Sequence, residues 1–272
     1  MWYKINRIYV WTKLVYPKIP DYLCFTANTA NSTISLPKTG SPTAVSLETS
    51  TNGLDWSTYT IWDTITLTNV WDKVYFRNTS ETTTWFSTGT SNRYTFSMTG
   101  SIAWSWDVNY LINKNWTTVL VSNYCYYALF FWCTSLTTAP ILTATTLTNY
   151  CYYSMFNWCT NLTTAPALKA TTLADTCYAN MFTSCTSLTS LPKLPATVLK
   201  KSCYYGMFYW CTSIKLSTTQ TWEYQTSYRI PTTWTWTDAG NTLGIMFTNT
   251  GWTFKDTPTI NTTYYTSNTV VW

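Results

Sequence analysis

Short runs of alternating apolar and polar residues occupy the chain between residues 25 and 112. They are STISL (32–36), TAVSLETS (43–50), DTITL (63–67), DKVYFRN (72–78) and RYTFSMTG (93–100). Alternation with a period of two predicts strands that bury one face, and turn residues such as Asn52 and Gly53 separate the runs. We therefore predict a β-sandwich domain at residues 25–112.

A different pattern, a repeat of 26 residues, follows this region. The phrases CYYALFFWC, CYYSMFNWC, CYANMFTSC and CYYGMFYWC open at Cys125, Cys151, Cys177 and Cys203 and close at Cys133, Cys159, Cys185 and Cys211. A fixed period of this length is typical of stacked supersecondary units, because one such unit cannot bury its apolar face alone. We therefore predict a solenoid at residues 113–216.

Each repeat is predicted to combine a short helix with a short strand. Inside the phrase, cysteine, an aliphatic residue and cysteine recur every four residues, which favours one apolar face of a helix. The leucine-containing segment that follows ends at a proline, which closes a strand; these prolines are Pro140, Pro166 and Pro192. The predicted repeat core contains the eight cysteines and a column of phenylalanines, namely Phe130, Phe156, Phe182 and Phe208.

The spacing of the paired cysteines argues against a disulfide or zinc framework. Eight residues of helix span about 12 Å, which is beyond the reach of a disulfide, and zinc ligands usually lie two to four residues apart. Two columns of small buried thiols are the favoured interpretation, with disulfides between repeats as the alternative. Cys24 stands alone and is predicted to be an ordinary buried residue.

The repeat phrase resembles a known family. The segment CYYSMFNWCTNLTTAPALKATTLADTCYANMFTSCTSLTSLPKLPATVL is similar to the BspA-like leucine-rich repeats; the match covers about residues 119–216, with a degenerate echo at 245–259. LETSTNGLDWSTYT and DKVYFRN resemble, more loosely, a domain often found ahead of such repeats. INRIYVWTKLVYP is similar to the N-termini of phage tail and fibre proteins. The resemblance implies a mixed β and α/β fold, with an N-terminal β-sandwich before a short BspA-like leucine-rich-repeat solenoid.

The two ends of the chain complete the predicted organisation. Residues 1–24 form a tyrosine- and isoleucine-rich arm, predicted to be an attachment segment, and residues 217–272 are predicted to hold a degenerate repeat and a C-terminal cap. No stretch of 18 apolar residues exists, so we expect no membrane span. Charges recur every few residues in the arm, and we expect no signal peptide.

The composition argues against an enzyme. The chain contains no histidine, which excludes Ser-His-Asp chemistry and histidine-ligated metals. None of the 11 carboxylates recurs in a repeat column, so no pair is set for glycoside hydrolysis. Asp63, Asp72 and Asp107 lie near turns, where aspartate caps its own backbone. The net charge of +5 comes without a basic run, so we expect no nucleic-acid partner, and we expect no cofactor.

Repeated tyrosines are the remaining candidate site. Tyr127, Tyr153 and Tyr205 share the second position after the opening cysteine, where an aromatic strip suits contact with a glycan or a protein. The preceding column is predicted to pack between repeats; it contains Tyr126, Tyr152, Tyr178 and Tyr204. The alternative is that the strip merely seals the stack.

Tryptophan is abundant in this chain and glycine is scarce. There are 17 tryptophans and 8 glycines, whereas ordinary usage predicts about 19 glycines. Trp132, Trp158 and Trp210 stand where the similar repeats carry glycine, and Ser184 occupies that column in the remaining copy. Other tryptophans also fall where glycine is favoured, namely Trp11, Trp62, Trp71, Trp104, Trp106 and Trp252, whereas Trp56 looks like a true aromatic position. Two interpretations stay open: an aromatic-rich binding surface, or UGA codons that the organism reads as glycine, which tolerates positive φ.

Together these features predict a non-enzymatic structural protein of a phage virion. It would be a head or tail fibre, decoration or appendage component that displays the repeats for adhesion. The expected partners are other virion proteins through the arm, further copies of the chain in a homo-oligomer, and a host-surface glycan or protein. The alternative is a secreted bacterial cell-surface adhesin of the BspA-like type.

Overall fold

The computed structural model of the chain is almost entirely β-structure. It describes residues 22–80, 86–105, 107–113, 120, 122–231, 241–251 and 254–272, and the backbone of two short strands before them. These residues contain no α-helix and one 3-10 turn, Val108–Leu111. The β-rich part of the predicted fold class is therefore confirmed, and the α/β part is wrong. No helix in the described part of the chain is long and apolar enough to cross a membrane.

The strands ahead of the repeats form antiparallel sheets. They are β1 (Ile8–Val10), β2 (Lys13–Val15), β3 (Leu23–Ala27), β4 (Ser32–Ser35), β5 (Lys38–Thr39), β6 (Leu47–Ser50), β7 (Ser57–Tyr59), β8 (Thr64–Leu67), β9 (Lys73–Asn78), β10 (Ser87–Gly89), β11 (Asn92–Tyr94), β12 (Ser97–Thr99) and β13 (Ile102–Ser105). One sheet has the order β13-β3-β9-β6-β7, two others have the orders β12-β4-β8 and β10-β11-β5, and β1 pairs with β2. Each alternating run of the sequence supplies at least one strand. Of the predicted arm at residues 1–24, the structure describes β1, β2 and residues 22–24, which lead into β3 and so belong to the sheets; the other residues of the arm lie outside the described part of the chain.

The run at 93–100 is split between two strands because its middle bonds elsewhere. The Thr95 amide donates to the carbonyl of Pro37 at 3.1 Å, and the Phe96 amide donates to the carbonyl of Leu129 in the first repeat at 2.8 Å. Phe96 also packs edge-to-face against Phe25 and Phe76 in the core of the sheets, with ring centroids 5.0 and 5.6 Å away. The sheets and the repeats therefore share one hydrophobic cluster.

The cysteine phrases form successive turns, and the predicted helix is wrong. In the second repeat, every other amide donates to the carbonyl three residues earlier, as Met155 does to Tyr152 at 3.2 Å. The amides between them donate to the following repeat, as Phe156 does to Met181 at 2.9 Å. In an α-helix each backbone amide donates to the carbonyl four residues earlier in the same helix, so no amide would be left to hydrogen-bond to a neighbouring repeat. We call each cysteine phrase in this arrangement, together with the residue before it, a rung.

Positive φ angles recur every fourth residue along a rung. In the second rung they occur at Tyr150, Ser154 and Trp158, with values of 58°, 52° and 64°. Each of these residues is third in a four-residue turn, the position where a type II turn takes positive φ. The turns overlap and begin at every second residue, and only every second turn has positive φ at its third residue, so the backbone pattern repeats every four residues, the spacing that favours a helix in the sequence.

Aromatic side chains stack along the rungs in register. The phenylalanine column contains Phe96, Phe130, Phe156, Phe182, Phe208 and Phe247, with successive centroids 5.2–5.7 Å apart and rings within 9° of parallel. Its first member belongs to the segment between β11 and β12, and its last belongs to a fifth rung at 241–249. The column therefore runs from the sheets, through all four repeats, into the C-terminal region.

The remaining strands lie in the third repeat and in the region that follows the fourth repeat. They are β14 (Ser190–Pro192), β15 (Leu216–Ser217), β16 (Thr226–Arg229), β17 (Thr263–Thr266) and β18 (Thr269–Val271). β14 pairs in parallel with β18, and β15-β17-β16 form a second sheet. The predicted strand end at Pro192 is confirmed, whereas the equivalent segments of the first two repeats are joined by isolated parallel bridges, such as Thr138 to Thr164.

Candidate functional site

The repeat cysteines are free and buried inside the stack. All eight have an exposed fraction of 1% or less, and Cys24 is buried in β3. In the closing column each thiol donates a hydrogen bond to the preceding phenylalanine carbonyl of the phenylalanine column. The bonds are Cys133 to Phe96 (3.1 Å), Cys159 to Phe130 (3.0 Å), Cys185 to Phe156 (3.0 Å) and Cys211 to Phe182 (2.8 Å). The thiols therefore join rungs without covalent bonds.

Burial also makes these thiols poor nucleophiles. Desolvation raises the pKa of Cys151 and of Cys203 to about 12, and raises the pKa of Cys125 and of Cys159 well above the ordinary value. The thiolate is the reactive form of cysteine, so the repeats hold their sulfur in an inert state.

We expect the native protein to resist thiol labelling at pH 8. Ellman's reagent should modify almost none of the nine cysteines until guanidinium unfolds the chain, because the thiols are both inaccessible and protonated. A reducing agent should leave the melting temperature unchanged, since no disulfide contributes to stability. Rapid labelling of several thiols in the native protein would contradict the buried arrangement.

The first tyrosine column is also internal. Tyr126, Tyr152, Tyr178 and Tyr204 stack with centroids 5.6–5.8 Å apart, and each is 1% exposed or less. The Tyr126 hydroxyl contacts Val108 O and Asn109 Oδ1 at 3.2 and 2.9 Å, where the sheets meet the repeats. This column packs between repeats and offers no surface to a ligand.

Four half-buried tyrosines form the surface that stands out geometrically; we call it the tyrosine platform. Tyr124 and Tyr150 stack at 4.7 Å, Tyr127 and Tyr153 stack at 5.1 Å, and the two pairs lie about 6 Å apart. Because the ring faces cover one another, the platform presents ring edges and hydroxyl groups to solvent. The sequence prediction included Tyr127 and Tyr153, but missed Tyr124 and Tyr150, which lie 26 residues apart just before Cys125 and Cys151.

Polar side chains bound the platform at both ends. The Arg93 guanidinium lies 5.9 Å from the centroid of the Tyr127 ring, and Asn180 Nδ2 donates to the Tyr153 hydroxyl at 3.1 Å. Burial raises the pKa of Tyr127; the neighbouring Tyr153 raises it further, and Arg93 opposes both. Tyr127 is therefore a neutral hydrogen-bonding group at physiological pH.

Tyr205, the third tyrosine of the predicted strip, lies apart from the platform. In the third repeat its column is occupied by Ala179, which is buried at 1% exposure. No ring contact joins Tyr205 to Tyr153 within the described residues. The structure therefore brings Tyr127 and Tyr153 together and leaves Tyr205 separate.

The carboxylates near the repeats are engaged with the backbone and with hydroxyl groups. Asp107 accepts from the Asn109 amide at 2.9 Å and from Thr143 Oγ1 at 2.6 Å, and Asp72 accepts from the Asn69 amide at 2.8 Å. The described residues contain no group of three or more histidine, cysteine, aspartate or glutamate side chains placed to hold a metal ion. The site that remains is the tyrosine platform, whose chemistry is hydrogen bonding. No protein-family model, curated protein or solved structure matches the chain.

Proposed function

We propose that the protein is a non-enzymatic structural component of a phage virion that displays its repeats for adhesion. The head or tail fibre, decoration or appendage are the settings that its organisation suits. The observation that supports an adhesive role most directly is the tyrosine platform, a regular polar-aromatic surface on a rigid stack. A secreted bacterial cell-surface adhesin of the BspA-like type is the second candidate, supported by the repeat phrase.

We further propose that the stacked rungs are a short solenoid of the leucine-rich-repeat type, in which turns replace helices. Support comes from the parallel bridges between leucine-containing segments and from the unbroken phenylalanine column. The sheets ahead of the rungs would then form a sandwich that caps the solenoid. Solenoids commonly bind through such repeated surfaces.

The chemistry of the platform favours a hydroxyl-rich partner. Tyrosine is enriched at interfaces because its hydroxyl group forms hydrogen bonds and its rigid ring packs with little loss of side-chain conformational entropy. Here the ring faces are used within the stack, which leaves hydroxyls and edges for the partner. A host-surface glycan matches this pattern, and a protein loop with free backbone groups is the other partner class.

Removing two platform hydroxyls should weaken glycan binding without unfolding the protein. On an array of bacterial and mucosal oligosaccharides, the double variant Tyr127→Phe, Tyr153→Phe should bind between about fivefold and 100-fold more weakly than the wild type. Tyr205→Phe is the matched control, since it removes the same group outside the platform. Undiminished glycan binding by the double variant would show that the platform is not the contact surface.

The virion assignment is tested by composition of purified particles. Mass spectrometry should find the protein in density-purified virions, and a chain lacking residues 1–21, which keeps the whole of β3, should remain soluble but be absent from them. Normal incorporation of the truncated chain would defeat the attachment role of the arm. Recovery of the protein from the bacterial envelope, and not from particles, would favour the adhesin.

A further inference from the structure

Tryptophan takes the left-handed backbone conformation unusually often in this protein. Among the nine tryptophans that the structure describes, five have positive φ: Trp62 (83°), Trp71 (75°), Trp132 (64°), Trp158 (64°) and Trp210 (61°). Among the residues whose backbone is described, positive φ occurs at two of the 20 tyrosines and at none of the 11 phenylalanines. A bulky side chain in this region is a genuine outlier, so aromatic character alone does not explain the five tryptophans.

Three of the five tryptophans share one position in the rungs. Trp132, Trp158 and Trp210 each come directly before the closing cysteine, third in a four-residue turn. A type II turn calls for glycine or asparagine at this position. The same column contains Ser184 in the third rung and Asn249 in the fifth, at 61° and 59°. The column therefore requires positive φ in every rung, whatever residue occupies it.

The other two tryptophans occupy turns between strands. Trp62 follows β7 and Trp71 follows β8, and their exposed fractions are 60% and 73%. Neither ring contacts another aromatic ring within the described part of the chain. An exposed indole gains little packing energy to offset the strain of its backbone, whereas glycine adopts the same conformation freely.

Two other tryptophans, Trp56 and Trp104, combine an unstrained backbone with side-chain contacts. Trp56 has no positive φ, lies 4.9 Å from the Tyr22 ring, and carries the Arg77 guanidinium 4.0 Å above it. Trp104 is extended in β13 and 5% exposed, so the sequence expectation that glycine belongs there is not supported by its backbone. Trp11, Trp106 and Trp252 lie outside the described residues.

We infer that positions 62, 71, 132, 158 and 210 are glycine in the protein as its own organism makes it. UGA is read as tryptophan in some genetic codes and as glycine in others, and UGA differs from the glycine codon GGA by one base. UGA codons at these positions give the printed tryptophans under the first type of code. Under the second they give the residue that each backbone conformation requires.

This inference is independent of the proposed function, but it removes a second surface that could otherwise be assigned to binding. Trp132, Trp158 and Trp210 are 63%, 45% and 48% exposed, and they would otherwise form an aromatic row that invites a binding role. With glycine in the column that row disappears. The tyrosine platform then remains as the aromatic surface of the rungs.

Peptide mass spectrometry of the protein from its natural source tests the inference directly. Peptides that span the five positions should have the mass of glycine, while the peptide that contains Trp56 should have the mass of tryptophan. Tryptophan-containing peptides across Cys125–Cys133 and Cys151–Cys159 would overturn the inference. Failure of this test leaves adhesion and virion incorporation to be judged on their own experiments.

A recombinant comparison tests the physical argument separately. Trp132→Gly and Trp132→Ala both remove the ring, but only glycine relieves positive φ. The glycine variant should favour the folded state over the alanine variant by about fivefold to 30-fold in the unfolding equilibrium. At Trp56 the alanine variant should be the more stable of the two, because glycine there only increases the conformational entropy of the unfolded chain. Equal stability of the two Trp132 variants would remove the strain argument.

Discussion

Phe130→Ala should destabilise the protein by about 3–5 kcal/mol, the range for removing a fully buried phenylalanine. The Phe130 ring stacks on Phe96 at 5.2 Å and on Phe156 at 5.6 Å, and it meets Trp104 edge-on at 4.3 Å. Truncation would leave a cavity where the sheets meet the first rung. Because neighbouring rungs are hydrogen-bonded through their backbones, the cavity cannot collapse easily. Equilibrium urea unfolding measures the loss.

Phe131→Ala is the matched control for this variant. Phe131 is the next residue in the same rung, but it is only partly buried and its ring contacts Trp132 at 6.0 Å. Its truncation should cost less than about 1 kcal/mol, in the range of substitutions outside a core. Similar losses at Phe130 and Phe131 would contradict a continuous phenylalanine column.

The protein should unfold steeply as the pH rises above about 9. Burial raises the pKa of the repeat thiols above 9.0 and of the inner tyrosines above 10.0, so the folded state binds their protons more tightly than the unfolded state does. The contribution of each group to the free energy of unfolding is fully present below the pKa that the group has in the unfolded chain. It is lost as the pH rises from that value to the pKa in the folded protein, which is about 12 for Cys151 and Cys203. Each such group removes about 1.4 kcal/mol per pH unit. Several together exceed the usual 5–15 kcal/mol of stability within one or two units.

A variant with fewer thiols distinguishes this mechanism from general charge effects. Cys151→Ala with Cys203→Ala should reduce the slope of the unfolding free energy against pH by about 3 kcal/mol per unit, over the pH range above 9 in which both proteins are still folded. Denaturant unfolding at fixed pH values gives that slope whatever the cost of the substitutions at neutral pH. A slope that the double variant leaves unchanged would show that the thiols are not the titrating groups.

Side-chain columns were the most predictable feature of the sequence. The 26-residue period places Phe130 over Phe156 whatever backbone carries them, because identical units stack with identical side chains in register. The strands of the alternating region were predictable for a related reason, since burial with a period of two needs only one covered face, as in β4 (Ser32–Ser35), where buried and half-buried residues alternate.

The backbone between the columns was less predictable because two structures share a period of about four. A helix repeats every 3.6 residues, and a pair of turns repeats every four. Ala128, Ser154 and Gly206 share a positive-φ column that no helix tolerates. The scarcity of glycine in the printed sequence masks this signal, since tryptophan stands at the third such column. Tyr124 and Tyr150 were not predictable from the repeat, because the position before the opening cysteine is tyrosine in only two of the four copies; Thr176 and Ser202 occupy it in the others.

Hydrogen-bond connectivity in the second rung tests the central claim, that the cysteine phrases are stacked rungs of turns. NMR couplings across hydrogen bonds identify the carbonyl that each amide contacts. The amides of Tyr152, Ser154 and Phe156 should couple to the carbonyls of Cys177, Ala179 and Met181, which lie in the next rung. Coupling of Phe156 to Tyr152, the i−4 pattern of an α-helix, would contradict the account.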